Sequence, residues 1–162
     1  MNVAGGNFHI KRNIAFCMLL GLIFSGGCEH STPGKLPVTT MRIGEKSFTL
    51  EIAVSEHDQE VGLMHRPTLD ADHGMIFINS DEQVRTFWNH DVHFPLDLLF
   101  LGTDVKIVSI KRLEPFDDRN VSSDVPARYV IELNAGTAKA LHLSVGDQLA
   151  LPSDVQTGNT AR

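Results

Sequence analysis

Polar and aromatic side chains gather in one short stretch, where Trp88, His90 and His93 are followed by Asp97. His90 and His93 are three residues apart, a spacing that places two imidazoles on one face of a helix but on opposite faces of an extended segment. The aromatic residues before His90 and Pro95 after His93 favour extended or irregular backbone. We therefore predict no bound metal and no cofactor here, with a His90 and His93 metal site as the alternative.

Two acidic residues lie within apolar segments, Asp97 among leucines and Glu132 between Ile131 and Leu133. A buried carboxylate must be paired or hydrogen-bonded, because an isolated buried charge is too costly. For Asp97 we expect the partner to be Arg66 or amides of a neighbouring loop. If their strands are neighbours, Asp97 and Glu132 would form an acid/base pair. The alternative is that each carboxylate only anchors the fold.

Arg66 and Trp88, the single tryptophan, add recognition chemistry to these acids. A guanidinium group can clamp a carboxylate or an anionic ligand, and an indole ring can stack on a sugar or an apolar ligand. Sequence signatures of serine hydrolases, phosphate-binding loops and zinc proteases are absent. We therefore predict a non-catalytic binding patch made of Arg66, Trp88, His90, Asp97 and Glu132. Two alternatives are a hydrolase, carboxylate-based or metal-assisted, and a purely structural role for these residues.

The first 28 residues have the layout of an export signal. Lys11 and Arg12 precede an uncharged apolar run over residues 14–24, which is too short to cross a bilayer core of about 30 Å. Ser25-Gly26-Gly27-Cys28 resembles the lipobox of bacterial lipoproteins, with Ser25 where leucine is usual. We predict a signal peptide over 1–27, a lipidated Cys28 with a tether through residue 40, and a location in the bacterial cell envelope, facing the periplasm or the cell exterior.

Composition and charge limit the partners of this chain. Its 162 residues, 42% of them hydrophobic and 21% charged, suffice for one folded domain with attachments. The net charge is −6, and removal of residues 1–27 takes away Lys11, Arg12 and no acid, which makes it −8. Nucleic acid is therefore excluded as a partner, and the acyl chains must provide the attachment to the bilayer. The remaining candidate partners are a small molecule, a carbohydrate or an envelope protein.

Hydrophobic patterning predicts a β-rich α+β domain over residues 41–152. Apolar residues alternate in the segment 46–54, and Ser55 with Asp58 predicts the start of a helix over 56–62. A second short helix is predicted over 136–142, a long surface loop over 114–127 and a disordered tail over 153–162. The predicted strands are 46–54, 74–78, 84–88, 95–101, 105–110, 128–133 and 148–151. These seven short strands and two helices favour a curled or barrel-like, mainly antiparallel sheet.

Six short motifs occur in an order that resembles the DUF192 family, whose members are uncharacterised and often exported or lipid-anchored. They are Gly62-Leu63-Met64 with Arg66, Gly74-Met75-Ile76-Phe77, Phe87-Trp88, Pro95-Leu96-Asp97 with Phe100, Tyr129-Val130-Ile131-Glu132-Leu133 with Gly136, and Gly146-Asp147. The resemblance implies a small β-rich fold and no established reaction. This chain departs from the family at Asn89-His90-Asp91-Val92, where Met-Lys-Asn-Thr is usual, and at His142, where glycine is usual.

Overall fold

Six strands form one open, mixed β-sheet in this computed structural model, which describes residues 35–156. The strands are β1 (Val38–Ile43), β2 (Lys46–Ala53), β3 (His73–Asn89), β4 (Leu96–Leu101), β5 (Ile107–Leu113) and β6 (Asp117–Asn134). Three short helices, α1 (Glu56–Val61), α2 (Thr137–Ala140) and α3 (Ser153–Gln156), accompany the sheet. The predicted signal peptide, lipidated Cys28 and most of the tether lie outside the described residues.

The strand order is β1-β2-β3-β6-β4-β5, so β1 and β5 are the edges. All neighbouring strands are antiparallel except β2 and β3, which are parallel and are connected through α1. A parallel pair requires such a crossover, because a tight hairpin can join only antiparallel strands. The crossover places α1 and the residues after it beside β3, where they become one wall of the cavity described below.

Apolar side chains cover both faces of the sheet. Ile76, Ile131 and Leu99 contribute to one apolar cluster, whereas Met75, Val130 and other residues one position away contribute to a second. Because side chains alternate between the two faces of a strand, neighbouring residues of one strand belong to different clusters. Both faces are covered, so all six residues of β4 are buried. We call the face that carries Met75 and Val130 the Met75 face.

The prediction of about seven strands in a barrel-like sheet is not confirmed. The segments 74–78 and 84–88 belong to the single strand β3, with a register shift against β6 between Ile78 and Gln83. The predicted loop over 114–127 is largely the first half of β6, and β1 was not predicted. Residues 148–151 form only an isolated bridge, between Gln148 and Lys106. Long-range pairing stabilises these polar strand segments, which local propensity does not reveal.

The two predicted helices are confirmed, and the first begins as expected. Ser55 Oγ accepts a hydrogen bond from the Asp58 backbone N–H at 3.1 Å. His142 has φ of 55°, so it carries the strain expected where the family usually has glycine. The helix α3 follows residue 152 and buries Val155 against the core. No helix within residues 35–156 is long and apolar enough to span a membrane.

Candidate binding cavity

A cavity of about 370 Å³ opens on the Met75 face of the sheet. One wall comes from α1 and the loop that follows it, and the other comes from β3. Val92 and the β6 residue Glu132 complete the lining. The lining residues of α1, the loop and β3 are Gln59, Glu60, Val61, Gly62, Leu63, Met64, Phe77, Asn79, Val84, Arg85, Thr86, Phe87, Trp88 and Asn89. The crossover between β2 and β3 therefore creates this space.

Glu132 is the buried acid of the cavity. In the sheet it lies between Met75 of β3 and Leu98 of β4, and only 4% of the residue is exposed. Among the described residues its carboxyl group has no hydrogen-bond partner. Loss of solvation raises the pKa of Glu132 to about 8, and the positive charge of Arg66 opposes this rise only in part. Glu132 is therefore mostly protonated at neutral pH.

Arg66 clamps a carboxylate, as its chemistry predicts, but the partner is Glu51. Both guanidinium Nη atoms donate to the Glu51 carboxylate, with Nη2 and Oε2 separated by 2.8 Å. This bidentate bond raises the pKa of Arg66. In the sheet, Glu51 of β2 pairs with Met75 of β3, and Met75 pairs with Glu132 of β6. Arg66 thus acts on Glu132 through its charge, while its donors are directed to Glu51.

Asp97 is separated from Glu132 by the register of the sheet. Asp97 pairs with Leu133, whereas Glu132 pairs with Leu98, so the two acids point to opposite faces. Asp97 is buried, and its Oδ2 accepts a hydrogen bond from the Ala138 backbone N–H in α2 at 2.8 Å. The expectation of an amide partner is correct for Asp97, and the expectation of Arg66 is wrong. The predicted acid/base pair does not form.

We expect Asp97→Ala to lower the free energy of unfolding by about 1–3 kcal/mol, because it leaves the buried Ala138 N–H without an acceptor. Asp97→Asn is the matched control, since its side-chain oxygen still accepts this bond and the loss should be smaller. Urea denaturation of the three proteins measures the difference. Equal losses in the two variants would contradict the anchoring role.

Trp88, His90 and His93 do not converge on one site. Trp88 lines the cavity with 44% of its surface exposed. His90 lies outside the cavity, and its Nδ1 is 2.5 Å from Asp118 Oδ1, a bond that raises the pKa of His90. The ring of His93 packs against Phe116 at 4.9 Å between centroids. Within residues 35–156, no group of three or more histidine, cysteine or acidic side chains could hold a metal ion.

The cavity contains residues that the sequence analysis did not select. Phe77 and Phe87 meet edge to face at 5.0 Å and form an aromatic wall. Asn89 is buried, and its Nδ2 donates to the carbonyl groups of Glu114 at 2.7 Å and Phe94 at 3.2 Å. Asn89 Oδ1 is buried without a hydrogen-bond partner. One sequence feature pointed to this part of the cavity, since Asn89 belongs to the segment in which the chain departs from the family.

Two solved structures share this fold at TM-scores above 0.6. A protein from Sinorhizobium meliloti 1021, described as a proposed transcription regulator, is 33% identical, with a TM-score of 0.66 over 72% of this chain and 97% of its own. A protein of unknown function from Novosphingobium aromaticivorans DSM 12444 is 32% identical, with a TM-score of 0.64 over 71% of this chain and 84% of its own. No curated protein matches the chain. The model of the DUF192 family, described as "Uncharacterized ACR", matches residues 38–151, and the chain belongs to this family.

Proposed function

We propose that this domain binds a small molecule with an apolar body in the cavity beside Glu132, without chemical turnover. The observation that carries the proposal is a buried carboxyl group that lines a ligand-sized space and has no hydrogen-bond partner within residues 35–156. Ligand sites are concave and mostly apolar, occupy about 300–1,000 Å³ and contain a few polar groups that orient the ligand. A cavity of about 370 Å³ lies within this range. The mixture of Phe77, Phe87, Met64 and Glu132 matches that description.

The contacts of the described residues favour binding over hydrolysis. A carboxylate-based hydrolase needs two acids that flank one bond, whereas Asp97 and Glu132 lie on opposite faces. A metal-assisted reaction would need His90 and His93 to converge, and these rings have separate partners. The description of the Sinorhizobium relative as a regulator is not extended to this chain, because a net charge of −6 does not favour contact with nucleic acid.

We also propose that the domain is held at the bacterial cell envelope, facing the periplasm or the cell exterior, by acylation of Cys28. The support is the basic, apolar and small-residue order of the first 28 residues. The negative charge of the remaining chain gives no attraction to anionic lipids, so the acyl chains would provide the attachment. A tether of about ten residues would keep the cavity within tens of ångströms of the bilayer.

A thermal-shift experiment with a blocked cavity tests the binding proposal. The probes are benzyl alcohol, benzylamine, benzoate and N-acetylglucosamine, and we expect at least one of them to stabilise the purified protein. A ligand at 100 times its Kd adds about 2.7 kcal/mol, which raises the melting temperature by several degrees. Val61→Phe should weaken the shift, because Val61 lines the cavity and a phenyl ring would take up part of its space.

Val145→Phe is the matched control, since Val145 is 64% exposed and does not line the cavity. This variant should respond to the probe as the unchanged protein does. Failure of all four probes to stabilise the unchanged protein would contradict the proposal. An equal shift in Val61→Phe would place the binding elsewhere on the protein.

A further inference from the structure

The amide and guanidinium donors that line the cavity are already used within the protein. Gln59 Nε2 donates to the carbonyl group of Ile78 at 3.1 Å, and Asn79 Nδ2 donates to a carbonyl group of β6 at 2.9 Å. Arg85 Nε donates to another carbonyl group of β6 at 3.0 Å, and its Nη2 donates to Asp81 at 2.6 Å. These nitrogen atoms are therefore not free to receive an acceptor-rich ligand.

The buried lining groups of the described residues that lack a hydrogen bond are oxygen atoms. Among the described residues, the Glu132 carboxyl group has no hydrogen bond, and Asn89 Oδ1 is buried without one. An ionised carboxylate and an amide oxygen only accept hydrogen bonds. Once Glu132 is ionised, a ligand that supplies donors complements both groups, and an ammonium group supplies three donors and no acceptor.

The aromatic residues of the cavity favour the same charge. Phe77, Phe87 and Trp88 line it, and ring faces attract cations. A second acid, Glu60 of α1, lines the exposed side of the cavity. A carboxylic acid ligand would meet two acidic residues there, and Arg85, the lining residue with a permanent positive charge, is bound to Asp81.

We propose that the cavity binds a small primary amine whose ammonium group pairs with the Glu132 carboxylate and whose apolar body packs against Phe77, Phe87 and Trp88. This inference rests on the proposed function, since it assigns a ligand class to the same cavity. It makes Glu132 the group that selects the ligand. The aromatic residues supply the apolar contact and discriminate little between an amine and a neutral molecule of the same shape.

Pairing with an amine requires Glu132 to lose its proton. Burial keeps the empty site mostly protonated at neutral pH, because the pKa of Glu132 is about 8. When the ammonium cation enters, the O–H bond of Glu132 breaks, the proton passes to the buffer and the carboxylate stays with the cation; no electrons are transferred. Charged or titratable groups on this face also include Glu51, Glu60, Arg66, Arg85 and Lys111 and, by the register of the sheet, Arg42 and His73. Amine affinity should therefore increase between pH 6 and about 8.

Titrations followed by Trp88 fluorescence test the ligand class. Benzylamine, benzyl alcohol and benzoate have similar bodies and differ in the head group, and each is titrated into the purified protein at pH 7.5. We expect benzylamine to bind about tenfold or more tightly than benzyl alcohol, and benzoate to bind most weakly. Glu132→Gln should remove the preference for the amine. Glu56→Gln should retain it, because Glu56 is an exposed acid of α1 that does not line the cavity.

Calorimetry of benzylamine binding to the unchanged protein gives a second measurement that needs no variant. In buffers of different ionisation enthalpy it should show release of most of one proton at pH 7. Equal or tighter binding of benzyl alcohol or benzoate, an amine preference that survives Glu132→Gln, or binding without proton release would overturn the amine inference and leave the cavity proposal standing. Failure of all three probes to bind would overturn the amine inference, and failure of N-acetylglucosamine as well would overturn both proposals.

Discussion

The free energy of unfolding should fall as the pH rises from about 4.5 to about 8, and Glu132→Gln should remove a large part of this fall. In the unfolded chain Glu132 ionises near its ordinary pKa of 4.5, whereas in the folded protein burial raises the pKa to about 8. Between these values the folded state binds more protons than the unfolded state. Stability therefore decreases with pH, by up to about 1.4 kcal/mol for each pH unit. The contribution is fully present below pH 4.5 and is lost above pH 8.

Denaturation curves of the unchanged protein and Glu132→Gln at several pH values measure this effect. His90 also has a raised pKa, so it adds a smaller fall in the same direction; only the difference between the two proteins isolates Glu132. That difference should grow in favour of the glutamine variant as the pH rises. Glu60→Gln is the control, since it removes an exposed acid of the same cavity lining. A constant difference across this pH range would mean that Glu132 ionises normally in the folded protein.

Gly74→Ala should lower the free energy of unfolding by about 3 kcal/mol, because the added methyl group has no space. Its Cβ would overlap the backbone oxygen of Glu132 and lie 2.8 Å from Leu133 Cδ2 and 2.9 Å from Leu50 Cδ2. Two of these neighbours belong to β6, so relief of the overlap would separate β3 from β6 and displace Glu132. Urea denaturation measures the loss directly.

Gly102→Ala is the matched control for this substitution. Gly102 is also buried, but a Cβ there would meet the side-chain ends of Asp104 and Glu82 at 3.1 Å, and these can move aside. We expect it to cost less than about 1 kcal/mol. If the two alanine variants had equal stabilities, the close approach of β3 and β6 at Gly74 would not constrain the fold.

Local patterns were sufficient for several elements of the fold. Alternation predicted β2, a serine cap predicted α1, and hydrophobic patterning predicted β4 and β5. The first half of β6 was missed because it is stabilised by long-range pairing with residues 83–89 of β3. Its sequence carries no hydrophobic alternation, so only the partner strand makes it extended.

The candidate site, too, could be predicted from the sequence only in part. The sequence indicated that Glu132 and Trp88 could serve binding, and both line the cavity. It could not indicate that Asp97 points away from Glu132, because the face of each side chain depends on a register that a shift of one residue reverses. Glu51 lies at a polar position of an alternating strand, which favoured a solvated side chain; its role as the partner of Arg66 follows from packing on both faces of the sheet.

The protonation of Glu132 is the claim on which both the amine inference and the pH dependence of stability depend. Carbon-13 NMR of the Glu132 side-chain carboxyl group, assigned by comparison with Glu132→Gln, follows this proton directly as the pH is changed. We predict a midpoint near pH 8 in the empty protein and a lower midpoint at saturating benzylamine. A midpoint near 4.5 in the empty protein would contradict the account.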